Sequence, residues 1–203
     1  GKGGLVGCPF LISEVGALDR GLCIELAPVY QKPVFLDACQ RCQHLARMTG
    51  SVPPHAQKYM EIALVEAAEA ALRGEVPVGA GIVDTTSNEI LAVAGNRTEE
   101  LRDATAHAEI LVLQGAAKTY GGTRLVDCDL YVTLEPCAMC AAAISMARIR
   151  RLYFGASDPK SGGVESGPRF FSQPTCHHRP DVYGGIDELR SRTMLQEFFE
   201  VRR

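Results

Sequence analysis

The sequence predicts an α/β fold in which a mixed β-sheet is covered by helices on both faces. Three observations predict it: a long apolar-periodic helix over residues 56–73, a strand-turn-strand pattern over residues 77–94, and strands alternating with helices from there onward. With 203 residues, 46% of them hydrophobic and 22% charged, the chain has enough apolar material for one core of ordinary domain size.

Residues 56–73 place Met60, Ala63, Leu64, Ala67, Ala68, Ala71 and Leu72 at helical spacing, and Gly74 closes the run. Residues 77–83 and 90–94 are short apolar runs flanking a Thr, Ser and Asn segment at 84–89, the pattern of two antiparallel strands joined by a turn. Thr105 is the expected cap of a helix running through Leu113 and Ala117 to Gly121, after which residues 130–134 form a compact strand. Pro136 suits the first turn of the next helix, which extends through Ala147. Residues 149–154 read as another strand and 155–167 as a loop rich in Gly, Ser and Asp. Residues 187–201 read as a last helix carrying Leu189, Met194, Leu195, Phe198 and Phe199.

Residues 1–55 do not continue the pattern and are set apart as an N-terminal extension of unknown role, with 56–203 as the domain. No apolar run approaches the roughly 18 to 20 residues needed to cross a bilayer, and the Gly-rich start lacks the layout of a secretory leader, so a cytoplasmic protein is expected. A formal charge of −3 and a pI near 6.0 argue against a broadly basic nucleic-acid binder; any such contact must be a local patch. Eight cysteines in a chain of this length, two of them in a Cys-x-x-Cys context, point to reduced thiols and metal ligation more than to a disulfide scaffold. Cys8, Cys23, Cys39 and Cys42 are weak candidates for a second, structural zinc site. The first pair lacks close spacing, and Phe35, Cys39, Cys42 and Leu45 fit a helix stripe equally well.

Function turns on Thr105-Ala106-His107-Ala108-Glu109 and, thirty residues on, Pro136-Cys137-Ala138-Met139-Cys140. A catalytic zinc needs three protein ligands and one open position, and thiolates with an imidazole suit its borderline character. His107, Cys137 and Cys140 meet that count, for one zinc per chain. Cys137 and Cys140, three apart at a helix start, share a face, and the positive end of the helix dipole favours their thiolates. Zinc lowers the pKa of a bound water to about 7 and so supplies a nucleophile near neutrality. Glu109 is too far around its helix to be an equivalent ligand but is placed to act as general acid and base.

Taken singly, a helical His is as easily a core residue, and a Cys pair three apart a buried stripe, since free Cys is among the most buried residue types. Together those readings are much weaker. A purely structural zinc site asks for a fourth ligand, for which Cys128 or the cluster Cys176-His177-His178 are the nearest candidates.

This His-x-Glu and Pro-Cys-x-x-Cys pattern resembles the signature of zinc-dependent nucleobase deaminases. From residue 56 to the C-terminus the sequence is similar, more closely, to the bacterial tRNA-specific adenosine deaminases of the cytidine and deoxycytidylate deaminase superfamily. The likeness is carried by Glu75-Val76-Pro77-Val78-Gly79-Ala80, Gly95-Asn96-Arg97, Ala147-Arg148-Ile149-Arg150-Arg151, the segment from Phe154 to Lys160, and Phe198-Phe199. The resemblance implies a three-layer α/β/α cytidine-deaminase-like fold with a mixed five-stranded sheet, working as a homodimer. It further implies conversion of adenosine to inosine at the wobble position of a tRNA anticodon, with Asn96 a hydrogen-bonding partner of the target base and the Ala108 and Glu109 backbone part of its pocket. Val78 is implied as a pocket wall, although core packing explains it as well.

An anticodon base must leave its stack to be processed, which calls for cationic contacts to flanking phosphates and a base-shaped pocket. Lys160, Arg202 and Arg203 are the preferred cations. Arg148, Arg150, Arg151 and Arg169 complete the supply, with Arg150 and Arg151 on opposite faces of their strand. Phe198 and Phe199 are candidates to stack on bases, against a core role on their helix, and Asp158 resembles a position beside the substrate. The rival readings are a deaminase of free guanine or cytosine, which the zinc pattern does not separate, and a catalytically silent zinc or RNA-binding module. Glu109 argues against the latter, since holding zinc does not require it.

Overall fold

The computed structural model describes residues 54–202. The expectations for Cys8, Cys23, Cys39, Cys42 and Arg203 lie outside the described residues.

Helix α1 (Pro54–Leu72) leads into the antiparallel pair β1 (Gly79–Asp84) and β2 (Ile90–Gly95), followed by the short helix α2 (Thr98–Leu101) and by α3 (Ala108–Tyr120). Strand β3 (Cys128–Leu134), α4 (Ala138–Ala147) and β4 (Arg151–Ala156) come next. A 3-10 turn (Phe170–Ser172), β5 (Asp181–Tyr183) and α5 (Glu188–Glu200) complete the fold. The sheet has five strands in the order β2-β1-β3-β4-β5. Strand β1 is antiparallel to both its neighbours, and β3, β4 and β5 run parallel. This is the mixed five-stranded sheet with helices that the sequence leads one to expect.

Alternation along the strands separates two apolar layers. Ile82, Leu130, Val132, Leu152 and Phe154 face Val112 and Ala116 of α3 and Ala141 and Ile144 of α4. On the opposite face Tyr131 and Tyr153, stacked at 4.7 Å between ring centroids, pack with Tyr59, Met60, Ala63 and Leu64 of α1. Strand β3 is buried on both faces, which is why Leu130, Tyr131 and Val132 stand in a row without polar alternation. Helix α1 lies so close to the sheet that a Cβ on Gly79 would stand 2.1 Å from the Ala63 carbonyl oxygen, so only glycine fits there.

Several local expectations are corrected. The buried stripe of α1 is Ala56, Tyr59, Met60, Ala63, Leu64, Ala67 and Ala70, whereas Ala68 is exposed and Leu72 is 83% exposed. The N-cap of α3 is His107, not Thr105, whose hydroxyl instead donates to Asp103 Oδ1 at 2.7 Å. Pro136 lies ahead of α4, whose N-cap is Cys137. Strand β5, helix α2 and the 3-10 turn were not anticipated. Strand β5 is three residues long and is defined by its ladder with β4. Helix α2 owes its start to a carboxylate more than twenty residues upstream: Glu75 Oε1 accepts the backbone N–H groups of Glu99 and Glu100 at 3.0 and 2.9 Å.

Candidate active site

The N-termini of α3 and α4 converge where β3 ends. His107 and Cys137 are the N-cap residues of these helices, both extended, with φ, ψ of −69°, 150° and −68°, 173°. Neither N-cap side chain is spent on capping its helix. Both are thereby aimed off the helix starts, where backbone N–H groups and the helix dipole favour negative charge. Cys140, one turn into α4 and fully buried, joins them.

His107 Nδ1 lies 3.8 Å from Cys137 Sγ and 3.6 Å from Cys140 Sγ, and all three donor atoms lie within 4.8 Å of one another. A tetrahedral zinc with typical Zn–S and Zn–N bonds sets its nitrogen and sulfur ligands roughly 3.6 Å apart, so the observed spacings fit the ion. In the protein alone these groups share protons. The Cys137 thiol is lowered to about 4, first by its hydrogen bond with Cys140 and then by that with His107, while burial opposes the shift. The Cys140 thiol is pushed up by Cys137 and by burial, and the His107 imidazole is raised mainly by Cys137. A bound divalent cation takes the place of those protons.

Beside the trio lies a cavity of about 190 Å³, small enough for one flat ring system. Val78, Asn96, His107, Glu109, Cys137 and Asp158 all contribute to its lining. Glu109 is 4% exposed, and desolvation raises its carboxyl above the usual range. Ala108 is buried beneath, in the first turn of α3.

Two buried carboxylates that sequence reasoning missed organise the rim. Glu75, 1% exposed, accepts Asn96 Nδ2 and Thr98 Oγ1 on Oε2, each at 3.1 Å, besides the two N–H groups of α2 on Oε1. Burial works to raise its pKa, but these bonds outweigh it and hold the carboxyl below its ordinary value. Glu135, 2% exposed, gathers the loop after β4. Its Oε1 takes the N–H groups of Val164, Glu165 and Ser166, and its Oε2 takes the Asp158 N–H and the Ser166 hydroxyl. Here too burial is outweighed by hydrogen bonds and the pKa is lowered. A Cβ on Gly162 would stand 2.5 Å from the Glu135 carboxyl carbon, so this loop closes only with glycine there. The available signal was a lone Glu set between the apolar strand 130–134 and the Pro-Cys pair.

The structure does not bring every candidate to the cavity. Lys160 and Phe199 are exposed and away from its lining, and Phe198 is buried at 9% exposure. The Arg202 guanidinium lies 3.6 Å over the Phe198 ring centre and reaches the Gly74 carbonyl at 3.4 Å. Arg150 pairs with Asp129, Arg151 lies 3.8 Å from Asp181, Arg148 is the C-cap of α4, and Arg169 donates to the Glu165 carbonyl. Neither proposed fourth zinc ligand joins the trio. Cys128 is buried in β3, its thiol raised to about 12 first by burial. Cys176 is buried against Ser145, with His178 on the Ile149 carbonyl.

Residues 53–156 match the family described as the cytidine and deoxycytidylate deaminase zinc-binding region. The tRNA-specific adenosine deaminase of Agrobacterium fabrum is 61% identical over 145 residues, covering 71% of this chain and 94% of that protein. The enzyme of the same description from Rickettsia felis is 48% identical over 141 residues, covering 70% and 98%. A solved structure from a study of A-to-I editing by tRNA:A34 deaminases at the wobble position of transfer RNA aligns with a TM-score of 0.66 and 62% identity. It covers 68% of this chain and 99% of that one.

Proposed function

The chain belongs to the tRNA-specific adenosine deaminases of the cytidine and deoxycytidylate deaminase zinc-binding family, and we propose that it hydrolyses adenosine to inosine and ammonia at the wobble position of a tRNA anticodon. The observation that carries this reading is the cavity itself, in which Asn96 and Glu109 flank a cluster of donor atoms spaced for zinc.

His107, Cys137 and Cys140 would hold one zinc ion per chain. Zinc supplies Lewis acidity, which brings the pKa of water from 15.7 to about 7. Glu109 would take one proton from the attacking water and pass it to the purine nitrogen beside the reacting carbon. It would then take the second from the hydroxyl added to that carbon and deliver it to the amino group, so that the C–N bond breaks, ammonia leaves and the carbonyl of inosine forms. Burial suits Glu109 to both tasks, because it brings the carboxyl's affinity for a proton closer to neutrality. Val78 walls the flat face of the base, the Ala108 and Glu109 backbone borders it, and Asn96 contacts the target nucleotide. Asp158 borders the cavity, and Lys160, Phe199 and Arg202, with Phe198 packed beneath Arg202, are the residues assigned to the anticodon stem-loop beyond it.

We place the catalytic domain at residues 56–203 and the protein in the cytoplasm; no helix among the described residues is long and apolar enough to cross a membrane. A homodimer is supported by apolar side chains left at the surface, Met146 at 79% and Val126 at 47% exposure.

The test is inosine formation in an anticodon stem-loop carrying adenosine at the wobble position, with free guanine and cytosine as alternative substrates. Inosine in the stem-loop and no ammonia from the free bases is expected. Ammonia from a free base with an untouched stem-loop overturns the assignment.

A further inference from the structure

Glu135, Pro136 and Cys137 are consecutive, and each is tied to something different. The Cys137 thiol belongs to the trio spaced for zinc. The Pro136 carbonyl accepts the Gly163 N–H at 2.8 Å, and Cys137 pairs with Gly162 in an isolated antiparallel bridge. The Glu135 carboxylate accepts the backbone N–H groups of Asp158, Val164, Glu165 and Ser166 and the Ser166 hydroxyl, all from the loop to which Gly162 and Gly163 belong. That loop lies directly on the peptide of the metal ligand. A Cβ on Gly163 would stand 2.8 Å from the Cys137 carbonyl carbon and 2.6 Å from the Ala138 nitrogen.

Cys137 is the N-cap of α4, but its side chain makes no capping bond. Its carbonyl accepts the Ala141 N–H at 2.9 Å, which fixes it on the helix side. An N-cap residue has no helical bond through its own N–H, so on the other side it is only as firm as the segment that precedes it. Here that segment is held by the 158–166 loop, and the loop by Glu135. We propose that Glu135 is a positioning residue of the metal site: by folding the 158–166 loop onto the Pro136–Cys137 peptide it fixes the Cys137 thiolate for the ion, so that metal binding and loop closure are coupled. Such coupling is reciprocal, the loop tightening the metal and the metal holding the loop closed by the same factor. Asp158 borders the cavity and belongs to the loop, so the ion governs that wall of the cavity as well. This inference rests on the zinc site proposed above and not on the identity of the substrate.

Two variants at Glu135 release the loop to different extents. In Glu135→Gln the amide oxygen stays with the N–H groups of residues 164–166, which turns the amide nitrogen toward the Asp158 N–H, donor against donor. Only the Asp158 end opens. Glu135→Ala frees both ends.

The full chain is titrated with zinc against a chromophoric chelator, and separately with cobalt(II), whose absorption reports thiolate coordination. Glu135→Ala should bind zinc roughly 10- to 100-fold more weakly, the usual cost of losing a group that orients a metal ligand, with Glu135→Gln between it and the wild type. Its thiolate-to-cobalt band should shift. Arg150→Ala, which loses the Asp129 pair at the far end of β3, should bind zinc as the wild type does and keep its cobalt spectrum. Amide exchange in the wild type gives a reading that needs no variant to fold: residues 163–166 should exchange more slowly with zinc than after its removal, while the turn at 84–89 is unchanged. Undiminished zinc affinity in Glu135→Ala, an equal loss in Arg150→Ala, or loop exchange indifferent to zinc overturns the inference. A wild type that binds no zinc overturns the metal site, and this inference with it.

Discussion

Arg150 forks onto Asp129, Nε to Oδ1 at 2.9 Å and Nη2 to Oδ2 at 2.8 Å, across the start of the parallel pair β3 and β4. The Asp129 side chain is 1% exposed and that of Arg150 38%, so the arginine is the partner of a buried carboxylate before it is a cation for RNA. Arg150→Ala should lower stability by about 1–3 kcal/mol, because it strands a desolvated acceptor. Denaturant melts measure this. Loss of RNA affinity at unchanged stability would instead make Arg150 an RNA contact.

Glu109→Ala should retain about one zinc per chain and lose roughly 10²- to 10⁴-fold in turnover, the usual worth of a proton shuttle. Metal analysis alongside single-turnover rates separates the two effects. Loss of metal in that variant would mean that Glu109 supports the ligands and is not only a proton carrier.

His107→Ala and Cys137→Ala should bind zinc far more weakly than the wild type, and a chelator should abolish wild-type activity with recovery on adding zinc back. The apo protein should melt at a lower temperature, since an ion that binds only the folded state stabilises it by mass action. A melting temperature indifferent to the chelator, with zinc verified as removed, counts against a site formed by folding.

Glu135→Ala should leave four backbone N–H groups of the 158–166 loop without their acceptor, raising KM more than it lowers kcat. Its carboxyl titrates below the unfolded value of ~4.3. The stability it lends is therefore complete above that pH and is lost as pH falls through the lower folded value. Thermal melts from about pH 6 to about pH 3 should show a flatter acid limb in Glu135→Gln than in the wild type.

Gly79→Ala should destabilise by about 1–3 kcal/mol or more, because its methyl group would fall 2.1 Å from the Ala63 carbonyl and push α1 off the sheet. Wild-type stability in this variant would show that the helix can shift without cost.

What was legible in the sequence was what neighbouring residues settle among themselves. His107, Glu109, Cys137 and Cys140 stand at short fixed spacings near helix starts, and the helix periodicity, the 84–89 turn and the apolar residues 130–132 of β3 are likewise properties of a few consecutive residues. These determined the fold class and the chemistry. Tertiary structure alone decided the rest. Glu75 meets Asn96 across 21 residues of sequence, Glu135 meets Ser166 across 31, and Arg150 meets Asp129 across 21. Each is a charged residue that looks like ordinary surface until the sheet buries a carboxylate, after which the cost of leaving that group unpaired selects its partner. For the same reason Phe198 and Phe199, adjacent in the chain, part company: one is 9% exposed beneath Arg202 and the other 47% exposed, a division that helix periodicity permits but only the docking of α5 assigns.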